Sequence, residues 1–139
     1  MSEQRRMHGD VRSVLKMDNV VFDRISFERH GFLQKEDADI EFQMGTHIVQ
    51  DALGKYRVIL KVTAEKAEEY TVEVQITGYC EIDECCPDKD VLLKKNAVAI
   101  LFPYVRAELS LLTAQPGTEP IVLPVVNIAA MMDQAEAID

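Results

Sequence analysis

A chain of 139 residues, 47% of them hydrophobic, is long enough for one domain with a real core, and 24 acidic against 15 basic side chains leave it a net charge of −9. That balance argues against a nucleic-acid ligand, which needs a basic stripe to meet its phosphates; it favours basic partners through long-range attraction, beside the plainer reading that the charge serves solubility. The longest apolar stretch, 121–132, is interrupted by Pro124 and Asn127 and falls short of the ~20 residues that a membrane-spanning helix needs.

Residues 1–13 read as a loose tail: Arg5 and Arg6 have no apolar region behind them, so the start is not a secretory signal, and residues 14–139 form a single domain. Alternation of apolar and polar side chains then sets out four strands. Val21, Ile25 and Phe27 alternate with Arg24, Ser26 and Glu28, and Ile40, Phe42 and Met44 alternate with Asp39, Glu41 and Gln43. Tyr56, Val58, Leu60 and Val62 alternate with Arg57, Lys61 and Thr63; Val72, Val74 and Ile76 do so with Thr71, Glu73, Gln75 and Thr77. One-sided alternation marks an antiparallel sheet with one wet face. The helical material after Pro87 must cover the dry face, so the fold class is α+β: a four-stranded antiparallel sheet under a long and a short C-terminal helix. The connection 64–69 is charged and carries neither Gly nor Pro.

Pro87 and Asp88 open the long helix, since proline is tolerated in a first turn and an acid complements the exposed amides there; the helix runs to about Thr113. Val98, Leu101, Val105, Leu109 and Leu112 form one apolar line along it, and Ala97, Ile100, Tyr104, Ala107 and Leu111 form a second beside it. Pro103 interrupts the pattern at a cost of about 3 kcal/mol in a free helix, so packing must hold the helix in place. One apolar side can rest on the chain's own sheet. In a chain this small the other points to a second subunit, with Ile100, Tyr104, Ala107 and Leu111 as the expected contact.

The segment 115–120, Gln-Pro-Gly-Thr-Glu-Pro, is the one concentrated cluster of helix breakers and reads as a loop. Ile121, Val122, Leu123, Val125 and Val126 come next as an extended apolar run, and Asn127 suits the N-cap of a short helix bearing Ile128, Met131 and Met132. So apolar a run either packs on its own subunit or lids a groove that a ligand fills. Methionine, unbranched and polarisable, adapts to many partners, although it fills cores equally well.

Catalysis finds little support. There is no glycine-rich phosphate loop, no Gly-x-Ser-x-Gly elbow and no histidine pair at ligand spacing, so neither an enzyme nor a cofactor is expected. Cys80, Cys85 and Cys86 fit no metal-finger spacing, and an odd cysteine count without a signal peptide points to reduced thiols in a cytoplasmic protein. A small sheet wrapped on a long helix also describes a hotdog-like thioesterase or a small-ligand binder, which turnover of acyl thioesters would reveal.

The segment 100–108, Ile-Leu-Phe-Pro-Tyr-Val-Arg-Ala-Glu, resembles the I-L-F-P-Y-A-R-E of the SecB family of protein-export chaperones, with Val105 for the small residue and Ala107 inserted before the acid. Further pieces keep the family's order: Ile25-Ser26-Phe27-Glu28 at the end of a first strand, 56–63 as a third, Glu73-Val74-Gln75 within a fourth, and 123–128, which is similar to L-x-P-V-N-F. Together they cover roughly 20–132.

The resemblance implies an ATP-independent holdase that binds non-native polypeptides, keeps preproteins competent for export and assembles as a dimer of dimers. It implies a client groove formed by Ile40, Phe42, Met44, Ile121, Leu123, Ile128 and Met132. The family also docks on the SecA motor through an acidic sheet face, to which Glu28 and Glu73 correspond. Arg24 and Thr71 stand where that face tends to carry an acid and a leucine, and the sequence ends at Asp139 without the family's longer tail. A SecB-like chaperone of another system, such as an antitoxin in a toxin–antitoxin operon, is therefore the alternative.

Overall fold

The computed structural model describes residues 15–33, 39–123 and 136–137. Four long strands, β1 (Leu15–Arg29), β2 (Ile40–Ala52), β3 (Lys55–Lys66) and β4 (Tyr70–Ile82), pair antiparallel in the order β1-β4-β3-β2. A two-residue strand β5 (Glu136–Ala137) adds to the outer edge of β2, parallel to it at Gly45 and Thr46. The helical layer comes after β4: one α turn, α1 (Lys89–Val91), a π-helical stretch (Leu92–Asn96), then α2 (Ala97–Thr113). The expected α+β sheet and long helix are present. The expected short helix, with Ile128 and Met132, lies outside the described residues, as does the 1–13 tail.

The two central strands show why the sheet has one dry face. Tyr56, Val58, Leu60, Val62 and Ala64 of β3 are buried, as are Tyr70, Val72, Val74 and Ile76 of β4, while the residues between them face outward. Val98, Leu101, Phe102, Val105 and Leu109 of α2 close over these rows. Each such side chain contributes about 1.5–3 kcal/mol of burial, which is how α2 tolerates Pro103 in its interior. Gly78 lets a strand neighbour and the helix pack close on β4: a Cβ there would lie 2.7 Å from Met17 Sδ of β1 and 3.1 Å from Leu101 Cδ2 of α2.

Strand β1 departs from simple alternation. Its pairing with β4 slips between Met17 and Asn19 and again between Phe22 and Arg24, so Asp18 and Asp23 are the extra residues of two bulges. Between the bulges Val20 and Phe22 turn to the dry face, opposite Gly78 and Ile76, while Val21 lies opposite Thr77 on the outer face and is exposed. Val21 is thus not a core residue, because each bulge reverses the facing of the residues beyond it. After the second bulge Ile25 and Phe27 return to the dry side, opposite Val74 and Val72. Ala97 likewise belongs with the buried line of the helix and not with the second line.

Two connections are held by particular groups. The β3–β4 hairpin turns through Glu68, whose φ of 66° places a non-glycine residue in the left-handed region, at a cost of roughly 1–2 kcal/mol. At the opposite pole the Glu84 carboxylate gathers the β2–β3 hairpin and the helix start. Its Oε2 accepts from the Gly54 amide at 2.6 Å, the Tyr56 hydroxyl at 2.7 Å and the Gln50 amide at 2.8 Å, and its Oε1 accepts from Lys89 Nζ at 2.8 Å. The hydrogen bond from Lys89, those from Gly54 and Tyr56, and the lysine's charge hold the Glu84 carboxyl down at about 2.

Candidate functional site

Among the described residues the helical layer does not cover the whole dry face. α2 lies over β4, with β1 and β3 to either side, whereas β2 meets chiefly the π-helical stretch before it. Among the described residues no helix therefore covers the first half of β2. Ile40, Phe42 and Met44 lie opposite Lys66, Ala64 and Val62, in register with the dry rows of the sheet. Ile40 and Met44 are half-buried against the core, and Phe42 keeps 43% of its surface exposed.

The helix end supplies the neighbouring wall. Thr113, fully buried, donates from Oγ1 to the Leu109 carbonyl at 2.7 Å and accepts from the Ile121 amide at 2.8 Å, while Ser110 Oγ donates to the Ile121 carbonyl at 2.6 Å. These bonds fold the 114–120 loop back so that Ile121 is buried at 5% exposure, Val122 points to solvent and Leu123 packs half-buried on the core. Of the seven residues expected to form the groove, the described ones come from β2 and this returning segment; Ile128 and Met132 lie outside the described residues.

Sequence patterning missed other apolar groups. Phe32, 53% exposed, and Leu33 lie just past β1 in a loop, where no periodicity can report them. The Phe32 ring lies against Gly117, where a Cβ would be 3.1 Å from Phe32 Cε1; Gly117 also has φ +77°, so glycine answers both demands. Next to it is a cavity of about 140 Å³ lined in part by Arg29, Ile40, Lys66, Tyr70 and Pro120.

The second apolar line of α2 faces outward. Ile100, Tyr104, Ala107 and Leu111 are all exposed, Tyr104 at 49% and Leu111 at 68%, and Pro103 shares that face. The outer face of the sheet carries Glu28 and Glu73, opposite Thr71 and Ser26 respectively. Glu73 is paired with Arg24 at 3.3 Å and Lys61 at 3.0 Å, and Glu28 stands 3.6 Å from His30 Nδ1. The expected acidic positions therefore share one face, with cations set among them.

The three cysteines are free thiols that differ in exposure. Cys80 is buried, and that burial, with the charge of Asp18 second, pushes its thiol up to about 11. Cys85 is exposed and Cys86 half-buried, and among the described residues no cluster of His, Cys, Asp and Glu is arranged to hold a metal ion. No helix among the described residues is long and apolar enough to cross a membrane.

Comparison with known proteins fits this arrangement. The protein-export protein SecB of Acidithiobacillus ferrooxidans is 31% identical over 136 residues, covering 89% of this chain and 91% of that protein. SecB of an Azoarcus strain is 31% identical over 112 residues, covering 76% of this chain and 74% of its own length. An uncharacterized protein of Methanocaldococcus jannaschii is 28% identical over 141 residues, covering 95% and 91%. Among solved structures, the SecB-like chaperone of Mycobacterium tuberculosis, determined in complex with a peptide from an antitoxin, superposes with a TM-score of 0.69 over 91% of this chain and 97% of its own. At 10% identity that likeness concerns the fold alone. The family model described as preprotein translocase subunit SecB matches residues 10–138, and the chain belongs to the SecB family.

Proposed function

We propose that the protein is an ATP-independent holdase of the cytoplasm, which binds non-native polypeptides in extended form and keeps them competent for export through the Sec translocase. The observation that carries this reading is the dry face of β2, which the described helices do not cover: Ile40, Phe42 and Met44 continue the core rows of the sheet beyond the reach of α2. Core-type surface that the helices leave exposed suits apolar segments that a folded protein would hide. Many weak contacts along one wrapped chain then give avidity without a strong local site. The net charge of −9 adds long-range attraction for basic unfolded chains.

The outer line Ile100, Tyr104, Ala107 and Leu111 supports self-association, and the family resemblance extends it to a homotetramer built as a dimer of dimers. Glu28 and Glu73 are the candidates for docking SecA. The cations Arg24 and Lys61, within 3.3 Å of Glu73, offset that acidic face and favour a second reading, a SecB-like chaperone serving another system.

Aggregation of a chemically unfolded protein, monitored by light scattering without nucleotide, tests the main reading. The protein should suppress aggregation, and moderate salt should leave the effect in place, because burial of apolar surface is screened far less than surface charge attraction. Phe42→Ser should weaken suppression while the fold persists. Failure of the unaltered protein to hold any unfolded chain would refute the assignment, and an effect abolished by salt would reduce the attraction to charge alone. Glu28→Lys with Glu73→Lys, which should remove SecA binding and spare clients, separates the two partner readings.

A further inference from the structure

Arg29 breaks the pattern of its own strand. Ile25 and Phe27 face the dry side, opposite Val74 and Val72, and Arg29 sits at the same parity opposite Tyr70. A charged side chain therefore stands where the row calls for an apolar one. Its guanidinium lies over three rings, 5.4 Å from the centroid of Phe27, 5.8 Å from Phe32 and 6.0 Å from Tyr70, and the Phe27 and Tyr70 rings stack at 5.1 Å. Arg29 Nη1 donates to the Gly31 carbonyl at 3.1 Å, and Nη2 donates to Thr118 Oγ1.

One planar group thus joins three segments: the end of β1, the 31–33 segment that carries Phe32, and the 114–120 loop. The fixed fork of a guanidinium suits this, because it can stack on rings and direct hydrogen bonds in its own plane at once, which an ammonium cannot. Phe32 is pressed between the cation and Gly117. The cavity of about 140 Å³ beside these groups is lined by Arg29, Thr118 and Ile40, the first residue of β2, together with the charged Lys66, Glu69 and Glu119.

We propose that Arg29 is a positioning residue of the groove: by tying Thr118 and Phe32 together it holds the 114–120 loop in place beside Ile40, where the β2 wall of the groove begins. The inference rests on the chaperone reading above, and the experiment separates the two.

Amide hydrogen exchange at Thr118, whose N–H bonds to the Gln115 carbonyl at 3.1 Å, reports the loop in the unliganded protein. Affinity for reduced, carboxymethylated lactalbumin, a permanently unfolded chain, reports the groove. Thr118→Val removes the acceptor and keeps the side-chain shape; Arg29→Ala removes the whole tie; Arg29→Lys keeps a cation over the rings without the fork. Thr118→Val and Arg29→Ala should each raise exchange at Thr118 and weaken lactalbumin binding about tenfold, the scale of one lost charge-assisted hydrogen bond. Arg29→Lys should fall between them and the unaltered protein. Wild-type exchange in Thr118→Val, or faster exchange with unchanged affinity, overturns the proposal. If the unaltered protein binds no lactalbumin, the chaperone reading falls, and the exchange result alone still decides whether Arg29 holds the loop.

Discussion

The outer face of α2 and the open end of the sheet both expose apolar side chains, but they are built differently. Ile100, Tyr104, Ala107 and Leu111 repeat at helical spacing on one element whose other side is locked into the core by Leu101, Val105 and Leu109. Phe32, Phe42 and Val122 come instead from a loop, the strand β2 and the segment returning from the helix. A regular surface on a rigid support can be complementary to one fixed partner, a second copy of the chain being the simplest. A surface assembled from loops and a strand can accept many sequences. The backing of an apolar patch therefore says more about its occupant than its exposure does.

The sharpest way to break this comparison is to remove the backing. Leu101 is fully buried and reaches within 3.1 Å of the Cβ position at Gly78. Leu101→Ala should lower the unfolding free energy by about 2–5 kcal/mol, the range for a leucine cavity, a large part of the ~5–15 kcal/mol that holds a domain together. Denaturant unfolding measures it. A loss below about 1 kcal/mol, well under that cavity range, would mean that the inner line is not what anchors the helix.

Next in size, Tyr104→Asp with Leu111→Asp places two charges on the outer line. Both positions are exposed within the chain, so the circular dichroism of the fold should be retained while the particle mass falls, because the charges become costly only where a partner excludes water. Loss of the fold would show that this line is needed by the chain itself.

The smallest effect concerns the pole that carries neither surface. Glu84 is held down at about 2 by Lys89, Gly54 and Tyr56, below the ordinary carboxylate value of about 4.3. A depressed folded pKa contributes stability that is present above the unfolded value and lost as pH falls through the folded one. Denaturation midpoints should therefore fall between about pH 4 and pH 2, and Glu84→Gln should flatten that part of the profile. An unchanged slope in Glu84→Gln would assign the acid sensitivity to other carboxylates.

The parts of the fold that were legible in the sequence are those where each residue has one environment. β3 and β4 are covered along their dry rows, so their period-2 alternation survives intact, and the two lines of the helix emerge from spacing except at Ala97, which is buried. β1 was less legible because Asp18 and Asp23 are bulge residues, and an inserted residue inverts the pattern without leaving a mark of its own. The second half of β2, with Gly45, Thr46 and His47 in sequence, lacks a clean alternation, so the strand was legible only to Met44 although it runs to Ala52. The same logic divides the groove. Ile40, Phe42 and Met44 could be found by alternation, whereas Phe32 sits in a loop without periodicity, and Arg29 is a charge in a strand, which patterning assigns to water when it lies on the dry side among rings.

The central claim is that one apolar surface takes copies of this chain and the other takes unfolded clients. Native mass spectrometry of the protein alone and with reduced, carboxymethylated lactalbumin tests both at once. The account predicts a tetramer of 15.7 kDa chains that binds the client without losing subunits, with Tyr104→Asp and Leu111→Asp reducing the subunit count and Phe42→Ser reducing client occupancy. A lone 15.7 kDa chain at micromolar concentration, or a client that binds only by displacing subunits, would contradict it.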